Sequence, residues 1–277
     1  MNFSDEVKAV MKKKSDEEKW KLIKLKQFHK ERNRPKGSVA KSPEWFIFEM
    51  TKLQNSPAKE KIELLKKLHI NLKTQDLIWV HKFIDLTGYG KLFQIFAHHN
   101  SKSRSAKTSE DHEIIKWCVL NTEQIVDTKK GMKIFIDTED SILEYAHAIK
   151  SPDVDVRNKI LFLLTIGASY SEELYELVLD AMKNLKRAWR ENTRFEYIVK
   201  ECLNQAVITE NKLYTLTFLN VLIHSSSNQI IKRGILEDYI SLGMEDILSK
   251  LKKEQQKLLD IAIESLGEQS EEGEGAS

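Results

Sequence analysis

The sequence predicts an all-α protein, on the evidence of its composition, its scarcity of helix breakers and a regular spacing of glycines. The 277 residues are 41% hydrophobic and 31% charged, with only 10 Gly and 4 Pro. Valine-rich alternating runs, which are typical of strands, are absent. A chain of this length can bury a large core without disulfides. Cys118 and Cys202 lie in apolar helical stretches, so both are predicted to be buried thiols of an intracellular protein.

Three glycines that each precede an amphipathic stretch indicate a repeat. Gly90 and Gly131 are 41 residues apart. Gly243 follows Gly131 by 112 residues, an interval that would hold two to three such periods. Two to three helices in every ~40–47 residues are the armadillo/HEAT period. Helical pairs of this kind cannot bury their own apolar faces and must stack on their neighbours. We therefore predict an armadillo-like α-solenoid.

Charge is distributed unevenly along the chain. Residues 1–37 contain 12 Lys/Arg and 6 Asp/Glu, a net charge of +6, whereas residues 264–277 contain five Glu and no basic residue. Residues 1–40 are predicted to form a basic helical N-terminal arm, in which Ser15 and Glu18 form a capping box. The arm could contact nucleic acid, an anionic membrane or an acidic protein, or it could be a solvated helix that docks through Trp20 and Phe28. Residues 266–277 are predicted to be an acidic, disordered tail.

Two Ser-Pro pairs mark the next helix starts. Ser42-Pro43 begins one helix and Ser56-Pro57 a second, whose stripe of Ile62, Leu65 and Leu68 is typical of a half-buried helix. A polar break over residues 71–76 follows, with Thr74 as the predicted N-cap of a helix over 75–86. That helix is predicted to bury four apolar residues: Leu77, Val80, Phe83 and Ile84.

The later chain continues the helical pattern. Residues 98–109 are predicted to be a polar loop, and Glu110 begins the next helix. Thr138 is predicted to cap another, and Ser151-Pro152 to start a strongly apolar one. Further helices are predicted at about 172–187, 192–205, 210–224, 228–241 and 244–265.

The sequence contains no pattern of a known active site. Gly88-Tyr89-Gly90 lacks the preceding strand and third glycine of a nucleotide loop, and His98-His99 has no second ligand pair at metal spacing. His112-Glu113 lacks the cysteine half of a deaminase zinc site. We therefore expect no enzymatic activity, no metal site and no cofactor. The longest apolar run is well short of the ~20 residues that a membrane span needs, so no transmembrane helix is predicted.

Three stretches, in order, resemble the N-terminal regulatory region of Diaphanous-related formins. The first runs from Ile70 to Phe83 and contains Trp79-Val80. The second contains His112-Glu113-Ile114-Ile115, then Gly131-Met132-Lys133 and Thr138-Glu139-Asp140-Ser141-Ile142-Leu143. The third contains Phe218-Leu219-Asn220-Val221-Leu222-Ile223 and continues to Gly243-Met244. The resemblance covers about residues 42–265.

The resemblance implies a helical GTPase-binding subdomain at residues 41–110, followed by armadillo-like repeats, the FH3 region, at residues 111–265. It also implies a partner, a Rho-family small GTPase in its GTP state. The family loop that touches the GTPase corresponds here to Lys73, Thr74 and Gln75, with Asp76 in place of the family proline. The family's basic segment corresponds to four residues of the arm: Lys24, Lys26, Arg32 and Arg34.

A second implied partner is the C-terminal autoregulatory segment of the same protein. In the family it occupies a groove on the armadillo repeats, which corresponds here to Ile160 and Leu163. GTPase binding would relieve autoinhibition of actin filament assembly, with actin bound only by domains outside this sequence. The resemblance implies a cytoplasmic, actin-associated protein that the GTPase recruits to membranes, with GTP and Mg²⁺ belonging to the GTPase. It implies no nucleic-acid partner.

A second interpretation is an armadillo/HEAT-type adaptor that binds a peptide or a nucleic acid through the basic arm and the concave face. The feature that would favour it is a basic, aromatic-lined face along the later helices, and residues 140–265 show no obvious one.

Overall fold

A computed structural model describes residues 41–53, 56–103, 105–203, 209–246 and 249. Over these ranges the secondary structure is helical, with turns and no strand, which confirms the predicted all-α class. The basic arm with its capping box, the acidic tail and most of the predicted helix at 244–265 lie outside the described residues.

The described residues form twelve α-helices and one 3₁₀ turn, Ala148–Lys150. The first six are α1 (Pro43–Lys52), α2 (Ala58–Thr74), α3 (Leu77–Asp85), α4 (Gly88–Asn100), α5 (Ser109–Val126) and α6 (Lys129–Asp137). The other six are α7 (Ser141–His147), α8 (Val154–Tyr170), α9 (Glu172–Trp189), α10 (Glu196–Leu203), α11 (Thr209–Ser225) and α12 (Gln229–Ser241).

Four long helices form the spine of the solenoid. Helices α2, α5, α8 and α11 are 17 or 18 residues long, and each packs along the next in that order. They begin at residues 58, 109, 154 and 209, so successive starts are 51, 45 and 55 residues apart. Helix α9, which lies between α8 and α11 in the chain, is also 18 residues long and packs against α8. The predicted α-solenoid is therefore confirmed, with its repeat in the long helices.

The three glycines that predicted the repeat do not occupy equivalent positions. Gly90 and Gly131 both lie in the first turn of a helix, α4 and α6, whereas Gly243 follows α12 with a φ of 72°. A Cβ on Gly131 would lie 1.8 Å from the carbonyl oxygen of Ile125, while a Cβ on Gly90 would meet nothing. Only Gly131 is required by packing, because α6 begins directly against the end of α5.

Buried polar side chains connect neighbouring long helices. The Asn121 side-chain amide on α5 donates to the Leu65 carbonyl on α2 at 3.0 Å. The Asn211 amide on α11 donates to the Asn158 side-chain oxygen on α8 at 2.6 Å. The buried apolar side chains form one continuous cluster from Phe46 to Met244. Since a buried amide is costly to leave unpaired, these bonds favour one register between helices.

The predicted boundary between the two subdomains falls inside a helix. Residue 110 is the second residue of α5, and α5 packs along α2 from the other side of that boundary. The two predicted subdomains therefore share one core, and the spine begins at α2, inside the range 41–110. The boundary itself stays a prediction.

Several helix starts differ from those predicted, and at α8 the reason is a better capping side chain nearby. Ser42 is the N-cap of α1, as predicted, and its side chain accepts from the Trp45 amide. Helix α2 begins after Pro57 without a side-chain cap. Asp140 precedes α7, whereas Thr138 ends α6. Asp153, whose carboxylate accepts two backbone N–H groups, caps α8. The predicted caps at Thr138 and Ser151 were therefore wrong by two residues, and the predicted cap at Ser56 was wrong by one.

The predicted polar loop at 98–109 is shorter. Helix α4 continues to Asn100, and Thr108 forms a capping box with Asp111 at the start of α5. His98 and His99 are therefore helical. His99 is buried because its imidazole pairs with the Asp111 carboxylate.

Cys118 is a buried, free thiol in α5, as predicted, and burial raises its pKa. Cys202 lies in α10, and its side chain is outside the described part. No helix in the described ranges has the length and apolar character that crossing a membrane requires.

Candidate functional site

The turn between α2 and α3 is only two residues long. Helix α2 runs through Thr74, which leaves Gln75 and Asp76 before α3 begins at Leu77. The Gln75 amide donates to the Asn71 carbonyl at 2.8 Å. The Asp76 carboxylate accepts from the Trp79 amide at 2.8 Å. The predicted break at 71–76 was therefore too long, and Asp76 is the N-cap in place of Thr74, because its carboxylate meets the free N–H groups of α3.

Trp79 fixes the orientation of α3. Its indole N–H donates to the Lys41 carbonyl at 3.0 Å, and its ring stacks on Phe83 with centroids 5.8 Å apart. The same ring meets Phe46 of α1 edge-on at 5.8 Å. Val80 and Phe83 are buried on the inner face of the helix, as predicted. The turn is therefore held between packed helices, which fixes its backbone before any partner binds.

The four predicted contact residues lie together at this turn. Lys73 and Asp76 are exposed, whereas Thr74 and Gln75 are half-buried. The Thr74 hydroxyl donates back to the Ile70 carbonyl at 2.8 Å, which ties it to its own helix. Lys73 forms no ion pair with another residue in the described ranges. Of the four, Lys73 is thus the side chain best placed to meet an anionic partner.

Exposed apolar side chains flank the polar turn. Ile70 is 50% exposed, Leu77 44% and Ile78 76%. The prediction that Leu77 is buried was wrong, because it begins α3, at the point where α2 has already ended. We call Ile70, Leu77 and Ile78 with residues 73–76 the corner surface. An apolar centre with a polar margin is the composition of a protein-binding surface.

Sequence reasoning missed Ile78, although a signal was present. Val80, Phe83 and Ile84 form the inward stripe of α3 at i, i+3 and i+4. Ile78 does not belong to that stripe and must face outward. An outward-facing isoleucine in the first turn after a helix cap could have been identified as a contact residue.

The remaining predicted site residues fall into two groups. Lys24, Lys26, Arg32 and Arg34 lie outside the described residues. Ile160 and Leu163 of α8 are 0% and 1% exposed, so they contact the core and not solvent. The half-exposed side chains of the same helix include Phe162, Thr165 and Ile166. The groove at Ile160 and Leu163 therefore stays a prediction.

Among the described residues, no group of three His, Cys, Asp or Glu side chains is close enough to hold a metal ion. The His99–Asp111 pair is a two-residue contact, and Lys102 completes it with a 2.6 Å ion pair to Asp111.

Two family models match the chain. The Diaphanous GTPase-binding domain matches residues 1–167, and the Diaphanous FH3 domain matches residues 175–275. The first model alone covers more than half of the chain. The first matched range ends within the spine helix α8, and the second begins within helix α9.

Similar proteins include several formins. Formin-F of Dictyostelium discoideum is 24% identical over 217 residues, covering 77% of this chain and 17% of that protein. Formin-D of the same organism is 25% identical over 233 residues, covering 84% and 18%. Human formin-like protein 2 is 19% identical over 329 residues, covering 96% and 30%. The chain thus spans less than a third of each of these relatives.

The fold is similar to the crystal structure of E. histolytica Formin1 bound to EhRho1-GTPgammaS. The TM-score is 0.63 at 14% identity, and the match covers 87% of this chain and 82% of that one. Together with the two family models, this agreement shows that the chain belongs to the Diaphanous-related formins and carries the GTPase-binding and FH3 domains of their N-terminal region.

Proposed function

We propose that this chain is the regulatory module of a formin, which binds a Rho-family small GTPase in its GTP state and thereby relieves autoinhibition of actin filament assembly. The observation that carries the proposal is the corner surface, where Ile78 is 76% exposed beside the cationic Lys73 on a turn held by two packed helices. A fold similar to that of a formin bound to a Rho protein supports it.

The corner surface has the chemistry for reading a GTPase switch region. The γ-phosphate of GTP orders the switch loops, and this ordering makes the GTPase surface specific for the GTP state. Ile78 and Leu77 can bury apolar area against such an ordered surface, and Lys73 can pair with an acidic side chain at its margin. Because Asp76 and Trp79 already fix the turn, little conformational entropy is lost on binding.

The basic arm would act on the rate of association. Lys24, Lys26, Arg32 and Arg34 belong to the segment whose net charge is +6. Such a segment accelerates encounter with an acidic GTPase face, and its effect decreases with salt. The GTPase would also recruit this cytoplasmic, actin-associated protein to the membrane.

Relief of autoinhibition requires a second binding event that the GTPase weakens. The autoregulatory segment is proposed to bind the armadillo-like repeats in the neighbourhood of α8, the helix that contains Ile160 and Leu163. If GTPase and segment exclude each other, each must lower the affinity of the other by the same factor. Phe162 and Ile166 are half-exposed apolar side chains of that helix, and Tyr170 at its C-terminal end is 49% exposed.

The test is binding of the 277-residue chain to Rho-family GTPases loaded with GTPγS or with GDP. We expect binding in the GTPγS state only. Ile78→Asp and Lys73→Glu should each weaken it by fivefold or more, since central interface residues typically contribute more than about 1 kcal/mol. Ile240→Asp is the matched control, because Ile240 is 63% exposed on α12, far along the chain. Equal affinity for the two nucleotide states would overturn the proposal.

A further inference from the structure

A cavity of about 250 Å³, which we call the basic cavity, lies between the second half of α9, the turn after α9 and the second half of α12. Its lining contains four cationic side chains and a single carboxylate: Lys183, Lys186 and Arg187 of α9, Arg194 of the turn and Asp238 of α12. The formal charge of the lining is therefore four minus one, or +3. Converging like charges repel one another, so an anion in the cavity would stabilise the whole group.

The one carboxylate in this lining is already paired. Arg194 donates its Nε–H to Oδ2 of Asp238 at 2.6 Å, and both side chains are half-buried. Because this bond uses only Nε, the two Nη groups of the guanidinium stay available for a ligand. The pair also fixes the guanidinium, so little side-chain entropy is lost when a ligand binds.

The turn that carries Arg194 is itself held in place. The Glu191 amide donates to the Lys186 carbonyl at 2.9 Å, which closes the end of α9. Phe195 is buried, and its ring meets Tyr239 of α12 edge-on, with centroids 5.5 Å apart. Packing therefore brings Arg194 to α9 and α12 before any ligand binds.

Lys186 and Arg187 carry the unbalanced charge. Neither forms an ion pair with another residue in the described ranges, whereas Lys183 pairs with Asp180, one turn before it, at 2.7 Å. Basic side chains are common in the last turn of a helix because they oppose the negative end of the helix dipole. The dipole does not explain why Arg194, which comes from outside the helix, converges on the same cavity.

A second cavity, of about 450 Å³, continues between α9 and α12 and shares Lys183 and Arg194 with the basic cavity. It adds two carboxylates, Glu176 and Asp180, and apolar side chains that include Ile230. The excess of positive charge is thus confined to the basic cavity. An extended acidic peptide that followed the groove would meet these carboxylates, whereas a compact polyanion would not.

We propose that the basic cavity binds the phosphate groups of an inositol phosphate, either free in solution or as the headgroup of a membrane lipid. A phosphate monoester carries a charge of about −1.5 to −2 and presents three acceptor oxygens. Two such groups on one ring would offset the +3 of the lining, which a single carboxylate would not. Arg187 and Arg194 would donate to pairs of phosphate oxygens, and Lys186 would act as a point charge.

The basic cavity is formed by α9 and α12, whereas the corner surface lies at the turn between α2 and α3. The inference therefore does not rest on the proposed binding of a GTPase. Binding of a GTPase and binding of a phosphate are measured with different ligands, so either proposal can fail while the other holds.

The first measurement is calorimetric titration of the 277-residue chain with inositol trisphosphate, and with uncharged inositol, at physiological ionic strength. The second is sedimentation with vesicles of phosphatidylcholine that contain either phosphatidylinositol bisphosphate or phosphatidylserine, matched in total negative charge. We expect binding of the trisphosphate but not of inositol, or a preference for the bisphosphate vesicles. Binding of the trisphosphate without a vesicle preference would identify a soluble ligand, and a vesicle preference would identify the lipid headgroup.

Variants separate the basic cavity from the basic arm, which also attracts anions. Lys186→Gln combined with Arg187→Gln should weaken binding by about tenfold or more, because two charge-assisted contacts are lost. Lys129→Gln combined with Lys133→Gln removes the same charge from exposed positions of α6. This control should change affinity by less than about twofold, since exposed charges far from the ligand are screened. The arm is present in both variants, so its contribution cancels.

Arg194→Lys keeps the positive charge but removes the guanidinium fork, so it should weaken binding severalfold. Circular dichroism of each variant checks that the helices are retained. Absence of binding to both the trisphosphate and the bisphosphate vesicles, or an equal loss in the two double variants, would overturn the proposal. Tighter binding of a phosphoserine peptide than of the trisphosphate would overturn it as well, and would assign the cavity to a phosphorylated protein.

Discussion

The side-chain amide of Asn121 donates to the main-chain carbonyl of Leu65 at 3.0 Å and joins two spine helices across 56 positions of sequence. Asn121 is 0% exposed and Leu65 is 0% exposed. The bond therefore lies inside the shared core of α2 and α5, between the helix that ends at the corner surface and the next helix of the solenoid. Rigidity at the corner depends on this packing.

Asn121→Ala should lower the free energy of unfolding by about 1–3 kcal/mol, because it removes a buried hydrogen bond and leaves a small void. Denaturant unfolding followed by circular dichroism measures this. Asn184→Ala, at an exposed position of α9, is the control and should change stability by less than about 0.5 kcal/mol. Similar values for both variants would show that the Asn121 bond does not stabilise the core.

Gly131→Ala should be strongly destabilising, because the added Cβ would lie 1.8 Å from the Ile125 carbonyl oxygen. The start of α6 would have to move away from the end of α5. Gly90 occupies a comparable first-turn position in α4, where an added Cβ would have no other atom within 4 Å. Gly90→Ala should therefore leave the free energy of unfolding unchanged or raise it by up to about 1 kcal/mol. Thermal unfolding of the two variants side by side tests the contrast, and a Gly131→Ala protein of wild-type stability would contradict it.

Asp76→Ala should lower the free energy of unfolding by about 1 kcal/mol, because the Trp79 amide loses its acceptor. Asp76→Asn keeps an acceptor oxygen at the same place and should retain most of the stability. If the corner surface binds the GTPase, only the alanine variant should also weaken that binding, through loss of the fixed turn. Identical behaviour of the two variants in both measurements would exclude a capping role.

Stability should fall as the pH is lowered from about 7 towards 5. Burial, with the charge of Lys61, lowers the pKa of His99 in the folded protein below its ordinary value of 6.5. Between the two values the unfolded chain binds more protons than the folded one, so stability is present above pH 6.5 and decreases through the folded pKa. Urea unfolding at several pH values in an anion-poor buffer measures the slope. His99→Gln should reduce it, and an unchanged slope would assign the pH dependence to other groups.

Leu163→Ala should lower the free energy of unfolding by about 2–5 kcal/mol, since it empties space in a fully buried site of α8. Leu177→Ala, at a 51% exposed position of α9, should cost far less. If Leu163→Ala lost binding of the autoregulatory segment, the loss would therefore reflect impaired folding and not the loss of a direct groove contact. Phe162→Ala, at a half-exposed position of the same helix, is the variant that tests a groove contact. A Leu163→Ala variant with wild-type stability would show that this side chain is not part of the core.

Much of the local structure could be predicted from sequence because its causes are local. Ser42 before Pro43 begins α1, and the stripe of Ile62, Leu65 and Leu68 is buried as its spacing predicts. The errors occurred where several capping residues were within reach, as at Thr74 and Asp76. A side chain with a hydroxyl or a carboxylate can cap in either place, and the packing of the following helix decides between them.

The amino-acid sequence by itself determined that this protein is helical, that its helices must stack, and that its stretches follow the order seen in Diaphanous-related formins. These properties depend on periodicity and composition, which are present in the unfolded chain. Only the tertiary structure decided that Leu77 is exposed and Leu163 buried, that His99 is enclosed against Asp111, and that the helix containing residue 110 shares one core with α2. Exposure and pairing depend on which helices meet, and that is a relationship between residues far apart in sequence.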